Sequence, residues 1–220
     1  LNGSSAPGGN GGSLELIPVR TPLIFGDIEL FAGNGGDNLT AGRGGDGGFV
    51  SKATVLPVIS HGNVLVRAGN GGDGDAVGDG GLGGGITVFK LTAMEVAGSV
   101  SVEGGNGGSA GNTGGNSGAG GSILGAALRV SRSLGSLAVK DGNGGFDQNG
   151  GAGGSIGKFK ASLGALAAGA TVMAGIGGDG SGNAGAGAAG GDLVSPILTV
   201  PGDARGGSPF SSGRGGAGGA

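Results

Sequence analysis

A short pattern that returns at nearly constant distance constrains this chain more than any other feature of it. Val100 and Val102 alternate with polar residues and lead into Asn106, which is set among glycines. Ile28 and Leu30 lead in the same way to Asn34, Val64 and Val66 to Asn70, and Leu137 and Val139 to Asn143. Ala170 and Val172 lead to Ile176, where the asparagine is replaced. The steps from Asn34 through Asn70, Asn106 and Asn143 to Ile176 are 36, 36, 37 and 33 residues. A fixed period of this size means stacked repeats in which each unit buries its apolar face on its neighbours. A second distance is stricter still. From the apolar residues Leu14, Val50, Ile86, Ile123 and Ile156 to Ile28, Val64, Val100, Leu137 and Ala170 there are 14 residues every time. The Gly-rich half of each repeat takes up most of the length variation, as loops on a rigid stack do.

The constant half alternates in a period of two, which is the strand period. Ile86 and Val88 alternate with Thr87; Leu91, Met94 and Val96 continue the apolar side, and Gly98 precedes Val100. Gly26, Gly62, Gly98 and Gly135 recur at one position, where a positive φ would turn the chain. The expectation is three short strands per coil in an all-β parallel β-helix, a solenoid of about five ~36-residue coils. A helical reading of stretches such as 163–175 fails because no 3.6-residue period recurs in every repeat. Pro18 and Pro22 in the first apolar segment suit an edge or a corner. Three segments result: a Gly-rich N-terminal stretch over 1–13, solenoid repeats over 14–200, and a Gly-rich C-terminal stretch over 201–220 that would stack on a neighbouring subunit.

Glycine supplies 65 of the 220 residues, a load that by itself reads as disorder. The matched apolar positions argue the other way, and no Gly-X-Y frame is sustained as collagen requires. Gly105, Gly108, Gly111 and Gly114 keep a period of three, and Gly71, Gly74, Gly80 and Gly83 nearly do. Three residues per turn is the polyproline II geometry, so the loops are expected to stack as polyglycine II helices beside the coil. In such a stack Asn34, Asn70, Asn106 and Asn143 lie above one another, and their amides are placed to form a ladder. Asparagine also tolerates left-handed turns, so a simple turn role stays open.

Little in the chain points to chemistry. Cysteine is absent, which removes disulfides and thiolate metal sites. No apolar run approaches the roughly 20 residues that span a bilayer. With a net charge of −3 and no basic stripe evident along the sequence, nucleic acid is not an expected partner. His61, the single histidine, stands between Ser60 and Gly62 and reads as a corner residue. Arg67, Glu103 and Lys140 occupy one stacked outward position with alternating sign, a self-compensating column. Asp37, Asp73 and Asp179 recur three places after the asparagine position, but Ser109 and Phe146 interrupt them. Calcium needs several converging oxygens, so no cofactor is expected, with calcium at these aspartates left open. Phe31, Phe146 and Phe210 are candidates for exposure; the chain has no Trp or Tyr to make a glycan platform. Threonines such as Thr87 and Thr171 are too isolated for a regular ice-binding array.

The run from Gly84 to Gly108, of the form GGxIxVxxLxxxxVxGSVSVxGGNGG, resembles the glycine-rich right-handed parallel β-helix repeats of bacterial surface proteins, autotransporter passengers and filamentous adhesins among them. The resemblance covers about residues 10–200 and implies an extracellular solenoid with a structural or adhesive role. The long Gly-rich loops depart from that pattern. The chain is therefore expected to be a secreted, non-enzymatic structural protein that joins head to tail into a surface or matrix filament. Leu1 in place of an initiator Met suggests a processed product or an excised fragment. The alternatives are a repeat segment of a larger adhesin that binds a glycan or protein, and more distantly a carbohydrate-active β-helix enzyme or an ice-binding protein.

Overall fold

The computed structural model describes residues 6–40, 42–75, 77–111, 114–132, 134–147, 149–180, 186–200 and 210–217, the last stretch without the side chain of Phe210. It is all-β, and every strand pair is parallel. Each coil contributes one strand to each of several sheets that run along the stack. The first sheet joins Leu14–Glu15, Val50–Ser51, Ile86–Thr87, Ile123–Leu124, Ile156–Gly157 and Leu193–Val194. The second joins Pro18–Val19, Thr54–Val55, Lys90–Ala93, Ala127–Val130, Lys160–Leu163 and Ile197–Thr199. A third, shorter sheet holds Leu23–Ile24, Ile59–Ser60 and Glu95–Val96. The fourth runs from Ile28–Phe31 through Val64–Arg67, Val100–Glu103, Leu137–Lys140 and Ala170–Met173 to Phe210–Ser211.

The register follows the sequence period, with Ile28, Val64, Val100, Leu137 and Ala170 directly paired. The first three coils have four strands where the sequence pattern suggests three. The third strand shrinks afterwards to single bridges, Val96 to Leu134 and Leu134 to Leu166. The corners differ as well. Positive φ falls on Leu16, Lys52, Val88, Gly125, Lys158 and Ser195, one residue past the first sheet, and not on Gly26, Gly62, Gly98 or Gly135. Gly62, Gly98 and Gly135 are demanded by close approach, whereas a Cβ on Gly26 in the first coil would meet nothing within 4 Å. A Cβ on Gly62 would lie 2.2 Å from the Gly26 carbonyl oxygen, and one on Gly98 2.5 Å from that of Gly62.

The inward side chains form one continuous core from Ile28 to Val172. Parallel strands about 4.8 Å apart leave no room for large rings in every coil of one column. The column of Ala53, Phe89, Ala126 and Phe159 solves this by alternation: both rings are fully buried, Phe89 between Ala53 and Ala126, and Phe159 between Ala126 and Pro196. Val50, Ile86, Ile123 and Ile156 fill the neighbouring column and are inaccessible to solvent.

Between the fourth sheet and the next first-sheet strand, each Gly-rich segment runs out and back as two extended strands. These stack into two layers. Within a layer, bonds join one coil to the next, as from Gly35 N–H to the Asn70 carbonyl and from Gly47 N–H to the Leu82 carbonyl. Between layers they zigzag: Gly48 N–H to the Gly33 carbonyl, Gly69 to Gly48, Gly84 to Gly69 and Gly105 to Gly84, all at 2.8–2.9 Å. A Cβ at Gly105 would stand 1.8 Å from the Gly69 oxygen, and one at Gly84 1.9 Å from that of Gly48. Glycine is thus required by packing of backbone on backbone. The described end of the chain continues the stack, with Gly213 and Gly216 bonded to Gly191 and Ala188; residues 201–209 and 218–220 of the C-terminal segment lie outside the described residues.

Candidate functional site

Every third residue of the Gly-rich strands points away from the layers, and its N–H has no carbonyl neighbour there. At many of these positions a side chain of the preceding coil supplies the acceptor. Asn34 Oδ1 accepts from the N–H of Asn70, Asn70 Oδ1 from Asn106, Asn106 Oδ1 from Asn143, and Asn143 Oδ1 from Ile176, each at 2.9 Å. The four asparagines therefore stack in one column, and these bonds run from side chain to backbone. None of the four has a positive φ. Asp37 and Asp73 do the same for Asp73 and Ser109, as does Asp179 for Ala217. Ser13 Oγ and Ser122 Oγ accept from Phe49 and Ser155. The rule has a direction: in these columns the acceptor belongs to one coil, and the donor to the coil after it.

That rule accounts for the aspartates without a cation, because each carboxylate has a backbone partner. Among the described residues no three of His, Asp and Glu converge on a point. Arg67 and Glu103 form an ion pair, Nε donating to Oε2 at 2.8 Å. Partial burial alone would raise the Glu103 pKa. Hydrogen bonds from Ser101 and Arg67 and the charges of Arg67 and Lys140 outweigh it and hold the carboxyl below its ordinary range. Asp46 is likewise lowered, with burial opposing and the Arg43 bond and the Leu82 amide prevailing. His61 is exposed and stacks on Phe25, ring centroids 5.5 Å apart. Phe31 and Phe146 are both largely exposed.

Two features were not foreseen. Asp141 points inward at the seam between the fourth sheet and the glycine layers, in the column of Ala32, Ala68, Gly104 and Ala174. It is buried, and neither carboxyl oxygen has a hydrogen-bond partner. Burial pushes its pKa up to about 8, against a partial counter-pull from the Ile123 N–H, which donates to the Ser155 carbonyl and not to the carboxyl. The signal was an acid breaking a column of alanine and glycine. The second feature is a basic face, which overturns the absence of a basic stripe. Lys90, Arg129 and Lys160 all point outward from the second sheet, and a shallow groove of about 460 Å³ lies among them. A linear reading spreads these residues over 70 positions, and only the fold gathers them.

No family model matches the chain, and no curated protein matches it. Among solved structures, a weak likeness is found to a springtail antifreeze protein from Granisotoma rainieri, described as a bundle of nine polyproline type II helices. The identity is 21%, over 96% of this chain and 94% of that one, with a TM-score of 0.18. So low a score gives no superposition on which to build. Among the described residues no helix is long and apolar enough to cross a membrane.

Proposed function

We propose that this chain is a non-enzymatic structural protein that extends by stacking coil on coil, head to tail with further copies of itself, as an extracellular surface or matrix filament. The observation that supports this most is the state of the terminal coils. Ile17, Val19 and Ile24 in the first coil, and Leu193, Leu198 and Val200 in the last, pack against the core from one side and stay half exposed. The positions paired with Val19 and Leu198 inside the stack, Val55, Leu91 and Leu128, are buried. Among the described residues, the end strands Ile28–Phe31 and Phe210–Ser211 pair on one side only. An unpaired parallel edge is a template for another strand.

The polarity of the stack selects how a second copy fits. Every strand pair is parallel and the side-chain acceptors point one way along the axis, so a copy added head to tail continues both the sheets and the side-chain columns across the junction. A contact between two different surfaces that does not close into a ring generates an open filament. Negative-stain electron microscopy over a concentration series, with and without chelator, tests the reading. Filaments of constant width that lengthen with concentration and ignore chelator are expected. Short rods of one length at every concentration would overturn it and favour a repeat segment of a larger adhesin.

A further inference from the structure

The net charge of −3 hides a separation of charge across the solenoid. Segments 16–22, 52–58, 88–94, 125–132, 158–163 and 194–200, which make the second sheet and the corner before it, contain no Asp or Glu. They carry Arg20, Lys52, Lys90, Arg129, Arg132, Lys158 and Lys160, all exposed, and the ion pairs found among the described residues involve none of them. The Gly-rich segments 33–49, 69–85, 105–122, 142–155 and 175–192 are the opposite: eight acidic residues against Arg43 alone. Arg43 is itself paired with Asp46. Asp37, Asp73, Asp79 and Asp179 are exposed, and their hydrogen-bond partners are neutral backbone N–H groups or an Asn amide, so they keep their charge outward.

We infer that the basic face of the second sheet is a lateral docking surface for the acidic glycine layer of a second copy of this chain. Charge complementarity selects the partner, and the solenoid supplies the register. Both faces belong to one stack, so every charge on either lies at a whole number of coils of about 4.8 Å. Lys90 and Lys160 are two coils apart, Asp37 and Asp73 one, and Asp73 and Asp179 three. Two copies side by side therefore stay commensurate along their length. A stiff, regular face of this kind aligns many weak pairs at once, where a single exposed pair contributes little.

This lateral contact is separate from end-to-end growth: one sets the width of an assembly, the other its length. Width is read by electron microscopy and light scattering of the full chain at low ionic strength, where charges are not screened, and again at about 0.5 M salt, where the screening length is only a few ångströms. The wild type is expected to associate side by side at low salt and to separate at high salt. Two triple variants probe the faces. K90E/R129E/K160E puts acids at the centre of the basic face and cancels most of its charge; D37N/D73N/D179N removes layer charge while each side chain keeps its carbonyl acceptor. Each variant alone is expected to lose side-by-side association by tenfold or more. An equimolar mixture should regain it, because the intact basic face of one variant meets the intact acidic layer of the other. That rescue also shows both variants folded. Unchanged association of either variant, a mixture that stays apart, or a wild type that is single at all salt concentrations overturns the proposal. So would binding of polyglutamate to the basic face without any self-association, which assigns the face to an anionic polymer.

Discussion

The two halves of each coil reach the same rise per coil by opposite means. The β half is filled by side chains: Phe89, Phe159, Leu91 and the isoleucine column exclude water, and stacking stabilises them by burying apolar area. The glycine half has almost no side chains inside it. Its strands are held by backbone N–H to carbonyl bonds in two directions, and its cohesion depends on the absence of every Cβ that would separate them. One half tolerates changes of shape at a graded cost. The other has, at most of its inward positions, room for hydrogen only; Ala188 in the last coil is an exception.

Breaking the β half should have the largest effect. Phe159→Ala leaves a ring-sized void between Ala126 and Pro196, and a loss of about 3–5 kcal/mol is expected in denaturant unfolding. In the glycine half, Gly105→Ala adds one methyl and should still cost about 2–3 kcal/mol, because the Gly69 oxygen it meets belongs to a bonded backbone that cannot rotate away. Gly9→Ala is the control: a Cβ there meets nothing within 4 Å, and a change within about 0.5 kcal/mol is expected. If Gly105→Ala behaves like Gly9→Ala, the layer is looser than described.

At the seam between the halves, Asp141→Ala should stabilise. The variant matches Ala68 and Ala174 in its column and removes a buried carboxyl without partners. With its folded pKa raised to about 8 from the ordinary 3.8, the native state binds more protons than the unfolded state between those values. Stability from this group is complete below about pH 4 and falls as pH rises toward 8. The gain on substitution should thus be smallest at pH 4 and should grow toward pH 8, by at most about 1.4 kcal/mol per pH unit. A gain independent of pH would show that Asp141 is not titrating as described.

Much of the β half was legible in the sequence because its side chains carry the period. The 14-residue constant and the apolar openers fall in one register, as the spacing required. The corners were misplaced because glycine was read as a φ preference, whereas Gly62 and Gly98 answer a close approach that only the neighbouring coil creates. Leu16, Lys52 and Val88 give no hint of a left-handed corner, since their strain is imposed by the stack. Stacking of Asn34 through Asn143 followed from the period, but the backbone destination of their bonds did not. The basic face was hidden because Lys90, Arg129 and Lys160 become neighbours only when the chain is wound on its own period.

The smallest of the effects sharpens the comparison within the glycine half. Asn106→Ala leaves the Asn143 N–H without its side-chain acceptor on a wet surface, and about 1 kcal/mol should be lost. Asn106→Asp keeps the oxygen and should lose much less. Equal losses would mean that the column serves some purpose other than accepting that bond.

The central claim is that the glycine half is a bonded structure as firm as the core beside it. Residue-resolved amide hydrogen exchange on the native chain tests it directly. The amides of Gly69, Gly84 and Gly105, which donate across the layers, are expected to exchange as slowly as those of Val100 and Val102, opening only with the whole stack. Exchange of these glycines at the rate of an unstructured peptide, while Val100 and Val102 remain protected, would contradict the account and leave the Gly-rich segments as loops on a β-helix.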